Sequence, residues 1–361
     1  MAHAEGEKRF GVVSGFLGAG KTTLMIALSQ EFAARGLRTA VISNDLGGKD
    51  LADCHYTGAC GCAASELTGE CICYQTENLV ERLRRVLETE GRDIAFSDIP
   101  GFGVGALDHV YHELDRDYPG QFRLVPFLAV TDKRCLRYLM DPEESCPEIR
   151  YIYEAQLLEA EAIVVNKLDL LTPKEKAAAA SLLRERWPDT PVFFLSARTG
   201  EGVSALAGYL LSHDSPRKVV DLGYGGAAFQ AAMGRMCQYI RQFYVEVCCH
   251  TFDGNAFLRE LGEAIREGVS AAGGATPHLK LFAMAQDGDW GKISLVDTAP
   301  PDIDRALKAP VTDLSVILNT SAVCRADAMG RAVDTALRST AARYKLTVAD
   351  YRTECFDIAG G

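Results

Sequence analysis

Gly15, Gly18, Ala19, Gly20, Lys21, Thr22 and Thr23 lie in a run of glycine, four residues, then Gly-Lys-Thr-Thr, a pattern suited to holding phosphate. In such a loop the glycines let backbone N–H groups curl around phosphate oxygens at a helix N-terminus, a lysine reaches the β- and γ-phosphates, and a threonine hydroxyl is placed for Mg²⁺. Lys21 and Thr22 take those two roles. Asp98, which closes the apolar stretch from Asp93, can hold Mg²⁺ through a water, and Gly101 can offer its N–H to the γ-phosphate and move when that phosphate leaves. Asp45, at the end of Ala40–Asp45, is a second carboxylate that could meet the metal or orient the attacking water. Lys21, Asp45 and Asp98 are therefore the candidate catalytic residues for hydrolysis of a β–γ phosphoanhydride.

Two later motifs choose the base. Asn166, Lys167 and Asp169 follow the apolar run Ala162–Val165, and the Asp169 carboxylate can accept from the N1–H and 2-amino group of guanine. Adenine has no such donors there, and leaving a buried polar group unpaired is costly, so discrimination should be strong. Ser196 and Ala197 end the next apolar run, where a backbone N–H can receive the guanine carbonyl. The expected ligand is GTP with Mg²⁺.

The second concentration of chemistry is thiol. Five of the 12 cysteines, Cys54, Cys60, Cys62, Cys71 and Cys73, fall within 20 residues, with His55 beside the first. Clustered thiolates suit Zn²⁺, Ni²⁺, Co²⁺, Cu⁺ or an iron–sulfur cluster. No paired Cys-x-x-Cys frame of a zinc ribbon is present. The segment 54–74 is expected as a loop outside the core sheet, placed where nucleotide-sensitive switches occur. Weaker signals accompany it. His109 and His112 are three apart on an expected helix and could share a metal, but are read as a solvated or core-satisfied pair. Cys248, Cys249 and His250 are read as strand residues, with Cys248 and His250 packed on one face. Cys355 lies in a tail expected to be mobile.

The elements that must position these groups alternate. Strands are expected near 9–14, 38–43, 93–98, 122–130, 161–165 and 192–195, with helices such as 22–35, 75–90, 173–186 and 203–212 between them. That order predicts an α/β fold with a mostly parallel, doubly wound sheet whose strand ends carry the ligand. A boundary at 213–217 separates a first domain, 1–213, from a smaller α+β domain of ferredoxin-like size, 217–361. The second domain is read as a helix near 227–241, a strand 243–250, a helix 254–272, strands 278–286, 290–297 and 313–319, and a helix 325–344. At 361 residues, 48% hydrophobic, the chain can bury cores for both. The net charge of −11 argues against a nucleic-acid surface. No apolar run is long enough to span a bilayer and the N-terminus lacks a signal-peptide pattern, so a cytoplasmic protein is expected, its cysteines free thiols, metal ligands or redox centres rather than structural disulfides.

These motifs together resemble the CobW, HypB and UreG group of P-loop GTPases, most closely its CobW-type members. The likeness rests on Gly15–Thr23, Ala40–Asp45, Glu66–Cys73, Asn166–Asp169 and Ser196–Gly200, and it covers the first domain. It implies GTP hydrolysis coupled to binding and release of a transition metal such as Zn, Co or Ni, or to assembly of a metallocentre. It also implies a client metalloenzyme or corrinoid protein as partner and leaves room for a nucleotide-dependent homodimer. The alternatives are a GTPase that loads a cobalamin-dependent enzyme, with an iron–sulfur or thiol centre, and a metal-free protein switch. One departure stands out: the family's Gly-Cys-x-Cys-Cys run is here Glu70, Cys71, Ile72, Cys73, Tyr74. A usual ligand is missing, and Cys60, Cys62, Cys54 or His55 could replace it. Asp98 also stands where many relatives carry Glu.

Overall fold

A computed structural model of the chain describes residues 8–45, 52–141, 147–223, 225–296 and 299–358. The strands of the first unit include apolar runs buried on both faces, as a parallel sheet between helical layers requires, and partly buried strands at its edges. They are β1 (Arg9–Gly15), β2 (Thr39–Asp45), β3 (Ala63–Thr68), β4 (Ile94–Asp98), β5 (Arg123–Leu124), β6 (Leu128–Thr131), β7 (Ala162–Val165) and β8 (Val192–Phe194). The sheet order is β3-β2-β4-β1-β6-β7-β8, with β5 also on β1, and every pairing is parallel. Helices α1 (Lys21–Ala34), α2 (Ala52–Ala59), α3 (Thr76–Arg84), α4 (Glu113–Asp117), α5 (Lys133–Met140), α6 (Pro147–Glu159), α7 (Pro173–Arg186) and α8 (Val203–Ser212) connect the strands. Phe10, Val12, Ile42 and Tyr111 lie in one apolar cluster against the sheet; Val13, Leu24, Phe32, Phe96 and Leu206 lie in another. This is the doubly wound P-loop fold.

Two expectations for this unit are corrected. The strand over 122–130 is two, β5 and β6, divided at Pro126, whose missing N–H cannot continue a ladder. The segment 54–74 is not a loop outside the sheet. It contributes the end of α2, then β3 as an edge strand in register with β2, and a 3-10 turn at Ile72–Tyr74 that buries Cys71, Ile72 and Cys73 in the core.

The second unit is built on antiparallel strands in the order β12-β11-β10-β13-β9-β14. They are β9 (Cys237–Glu246), β10 (Ala275–Met284), β11 (Trp290–Val296), β12 (Asp302–Arg305), β13 (Asp313–Val323) and β14 (Thr347–Asp357), preceded by α9 (Ala227–Met233) and joined in part by α10 (Gly254–Ala271) and α11 (Ala326–Tyr344). Without the β11–β12 hairpin, the sequence β9-α10-β10-β13-α11-β14 has the order of a ferredoxin-like βαββαβ unit. Tyr239, Phe243 and Val245 alternate along β9 into a core shared with Phe257, Leu261 and Ile265 of α10 and Val333 and Leu337 of α11.

That period-two alternation also corrects the helix expected over 227–241, which stops at Met233 before Gly234. Cys248, Cys249 and His250 fall beyond β9 and are exposed, so they are not packed strand residues. The tail is not loose: Cys355 sits in β14 opposite Tyr239, and its Sγ lies 3.0 Å from the Ala326 carbonyl.

The chain divides into Met1–Lys49 with Thr57–Phe229, and Asp50–Tyr56 with Gln230–Gly361. The connector 213–229 stays with the first unit because buried Glu161 holds it. Glu161 Oε1 accepts from Ser215 Oγ at 2.7 Å and Lys218 N at 3.0 Å, while Oε2 accepts from Phe127 N at 2.8 Å.

Candidate functional site

The phosphate loop is shaped by three glycines in the left-handed half of backbone space, with φ 138° at Gly15, 77° at Gly18 and 99° at Gly20. At Gly15 a Cβ would lie 2.3 Å from the Val130 carbonyl oxygen, so no other residue lets β1 leave the sheet here. Gly20 gives α1 no side-chain cap. A helix start of that kind leaves its first turn open to an anion, with the dipole adding to the attraction. Lys21 Nζ is folded back onto the Gly15 carbonyl at 2.8 Å, within the loop it is expected to serve.

The loops expected to read the base are tied to this one. Asn166 Nδ2 donates to the Ala19 carbonyl at 3.0 Å, and Asn166 Oδ1 accepts from Ala197 N at 3.0 Å. The Ala197 N–H thus joins these two loops in this structure. Lys167, itself at φ 59°, donates to the Gly18 carbonyl at 2.6 Å and to Asp132 Oδ2 at 2.7 Å. Asp169 stands exposed at the loop edge, with Ser196 Oγ 2.5 Å from its Oδ1. Asn166, Lys167, Asp169, Ser196 and Ala197 are therefore together with Gly18, Ala19 and Gly20, at the carboxyl ends of β1, β7 and β8.

Asp132 was not a sequence candidate. Burial opposes its ionisation, yet the Lys167 ammonium and the Arg134 guanidinium outweigh burial and hold its carboxyl down at about 2. It also caps α5 by accepting from Cys135 N at 3.0 Å. The same strand-end logic that singled out Asp45 and Asp98 applies to it, since it directly follows β6.

Asp98 ends β4 and is 5% exposed, with its Oδ1 accepting from Asn44 N at 3.0 Å. Gly101 packs on the phosphate loop so tightly that a Cβ would meet Leu17 Cδ2 at 2.5 Å and Leu17 Cα at 3.0 Å. The switch backbone is thus held against the loop by the absence of a side chain. The backbone of Asp45 ends β2; its side chain lies outside the described residues. Thr22 is buried in the first turn of α1. The donor set of Lys21, Thr22 and Asp98, with the glycine-shaped loop, fits a nucleotide triphosphate carrying Mg²⁺.

Two residues of α6 bind the segment expected to act as the switch, and neither had a signal in the sequence, where polar positions on a helix read as solvated. Gln156 Nε2 donates to the carbonyls of Gly101 at 3.1 Å and Gly103 at 2.9 Å. Glu159, fully buried, accepts from Gly105 N at 3.1 Å and Leu107 N at 3.3 Å through Oε2, while its Oε1 has no hydrogen-bond partner among the described residues. Burial pushes the Glu159 carboxyl up to about 8, against the pull of those N–H groups. The folded chain therefore keeps a proton that the unfolded chain releases near 4.5, and stability should fall as pH rises from about 4.5 through about 8. Glu159→Gln is expected to remove this decline. Thermal midpoints of the two proteins measured between about pH 5 and 8 should converge at the acid end; parallel profiles would contradict the assignment.

Cys71 and Cys73 are brought together, with Sγ atoms 3.1 Å apart and both thiols buried. The hydrogen bond with Cys71 and then burial hold the Cys73 thiol well above the ordinary range, and the nearby Glu159 charge adds to this. Cys60 and Cys62 are close enough that Cys60 raises the Cys62 thiol further than burial alone. Cys54 and His55 belong to the stretch grouped with the second unit, where His55 stacks on Phe282 at 5.8 Å and Asp53 pairs with Lys280. Among the described residues no group of three or more His, Cys, Asp or Glu is arranged to hold a metal ion. Of the five cysteines expected as candidate ligands, Cys71 and Cys73 are in mutual contact. His112 Nδ1 meets Asp108 at 3.0 Å and His109 leans on Tyr74 at 6.2 Å, each with its own neighbour.

The family model for the nucleotide-binding domain of CobW/HypB/UreG matches residues 10–194. A relative described as zinc chaperone CobW, from a Sinorhizobium species, is 29% identical over 217 residues, covering 54% of this chain and 60% of that protein. The chain therefore spans less than two thirds of that relative. Among solved structures, HypB from Helicobacter pylori in complex with nickel is 18% identical, with TM-score 0.40, over 57% of this chain and 86% of that one. Zn(II)-bound YjiA GTPase from E. coli is 14% identical, with TM-score 0.35, over 91% and 98%.

Proposed function

The chain belongs to the CobW/HypB/UreG family, and from that premise we propose that it is a GTP-hydrolysing metallochaperone or metallocentre-assembly factor in which the nucleotide state governs a transition metal held at Cys71 and Cys73. The observation that carries this reading is the attachment of the thiol pair to the hydrolytic site. The segment bearing Cys71 and Cys73 is hydrogen-bonded to Asn44, whose backbone N–H holds Asp98.

Lys21 would leave the Gly15 carbonyl for the β/γ-phosphates, and Asp169 with Ser196 would read the guanine edge. Thr22 and Asp98 are the residues that would hold Mg²⁺, whose charge offsets that of the phosphates. Gly101, packed on Leu17, would donate its N–H to the γ-phosphate, and Gln156 and Glu159 would carry its displacement into residues 101–107.

The metal is cargo in this scheme. Both thiols must lose their protons to bind it, so capture releases protons and strengthens as pH rises. The recipient would be a client metalloprotein that the chain meets while one nucleotide is bound. The pertinent test is whether Zn²⁺ affinity depends on which guanine nucleotide occupies the loop; identical affinities would reduce the metal to a structural or incidental role.

A further inference from the structure

Asn44 makes a set of bonds that the hydrolytic chemistry alone does not require. It is 5% exposed, and both its donor hydrogens and its oxygen are engaged: Nδ2 donates to the carbonyls of Leu67 at 3.1 Å and Glu70 at 2.9 Å, and Oδ1 accepts from Ile72 N at 3.0 Å. The pattern fixes the amide orientation, since two carbonyls demand the NH₂ and one N–H demands the oxygen. Its backbone N–H is the one that holds Asp98 Oδ1.

Two of the groups that Asn44 grips, the Glu70 carbonyl and the Ile72 N–H, flank Cys71 on either side. We propose that Asn44 is the positioning residue through which metal capture by the Cys71–Cys73 pair is transmitted to the Mg²⁺-binding carboxylate of Asp98. The proposal rests on the GTPase and metal-transfer reading above.

The required motion follows from the sulfur separation. A tetrahedral Zn²⁺ with Zn–S bonds of ~2.3 Å holds two sulfurs about 3.8 Å apart. The Sγ atoms here are 3.1 Å apart, so capture must spread them. Both side chains are buried, and a close-packed interior resists rotation at Cβ, so part of the change must pass into the peptide groups beside Cys71. The amide of Asn44 grips those peptide groups. Its own main chain in β2 then moves the N–H that Asp98 receives. A buried amide held by three hydrogen bonds has few alternative positions, which suits it to transmit a displacement rather than absorb it.

A second route exists. Cys73 lies near Glu159, which grips the switch at Gly105 and Leu107. The two routes make separable predictions, because Asn44 acts on the carboxylate and Glu159 on the switch backbone.

The experiment measures Zn²⁺ dissociation constants, with a non-hydrolysable GTP analogue or GDP bound, in native protein, Asn44→Ala, Asn44→Asp and Glu159→Gln. In native protein the two constants should differ by a factor within the roughly 5–150-fold range of coupled sites. Asn44→Ala should still bind Zn²⁺ but bring that ratio to within about twofold of one. Asn44→Asp keeps the acceptor for Ile72 N and loses both donors, so an intermediate ratio is expected; it also keeps the proposal testable if the alanine variant does not fold. A purely structural role would weaken Zn²⁺ binding equally in both nucleotide states and leave the ratio at its native value, which would overturn the proposal. A ratio that survives in both Asn44 variants and collapses in Glu159→Gln would also overturn it. A native ratio of one removes the metal-transfer reading itself, whereas a native ratio above one that persists without Asn44 removes only this inference.

Discussion

Lys21→Ala is expected to reduce GTP turnover by about 10²–10³-fold, the cost of deleting one preorganised charge from a transition state that develops on phosphate oxygens. The lysine already lies within its loop, 2.8 Å from the Gly15 carbonyl, so little reorganisation separates the observed position from the β/γ-phosphates. The loss should fall mainly on the chemical step. Nucleotide should still reach the glycine-shaped cradle, whose φ values do not depend on the lysine. Steady-state phosphate release with saturating GTP checks this, and turnover within threefold of native, or about that, would mean that the loop binds without catalysing.

Asp169→Asn should produce the second large effect. The carboxylate is paired with Ser196 Oγ at 2.5 Å at the edge of the base-reading loops. Replacing one acceptor oxygen by an NH₂ sets a donor against the guanine donors, and each bond left unmade costs about 1–3 kcal/mol. GTP affinity should fall by roughly 30-fold or more, while xanthosine triphosphate, whose 2-oxo group wants a donor, should gain. Competition between GTP, ATP and xanthosine triphosphate reads the switch directly. A native protein that binds ATP as tightly as GTP would overturn the guanine assignment.

Much of the candidate nucleotide site was legible because each part is local. Lys21 and Thr22 sit within one short run, and Asn166, Lys167 and Asp169 within another. Parallel topology then brings strand ends to one edge without further information. What could not be read depends on long-range packing. β3 carries Ala63, Ala64, Ser65 and Glu66, with little β-branched or aromatic character, and becomes a strand only because β2 offers it a ladder. Cys71 and Cys73 looked like loop thiols and are buried because that ladder carries them into the core.

Asn44 is separated by 26 residues from Glu70 and by 54 from Asp98, so nothing in its neighbourhood announced a role. Gln156 and Glu159 were hidden for the opposite reason, since their helix shows no break where the buried polar face begins. In the second unit the start of β9, Cys237–Arg241, was mistaken for helix, because short apolar runs satisfy both periods until a partner strand decides.

The central claim is that the thiol pair and the nucleotide site share one free energy. It is tested most directly by titrating Zn²⁺ anaerobically into native protein and into the double variant Cys71→Ser/Cys73→Ser, each loaded with GDP or with a non-hydrolysable GTP analogue. The account predicts a Zn²⁺ affinity in native protein that changes between the two nucleotides by roughly 5–150-fold, a reciprocal change in nucleotide affinity on adding Zn²⁺, and loss of both in the double variant. Zn²⁺ bound through Cys71 and Cys73 with the same affinity in both nucleotide states would contradict it.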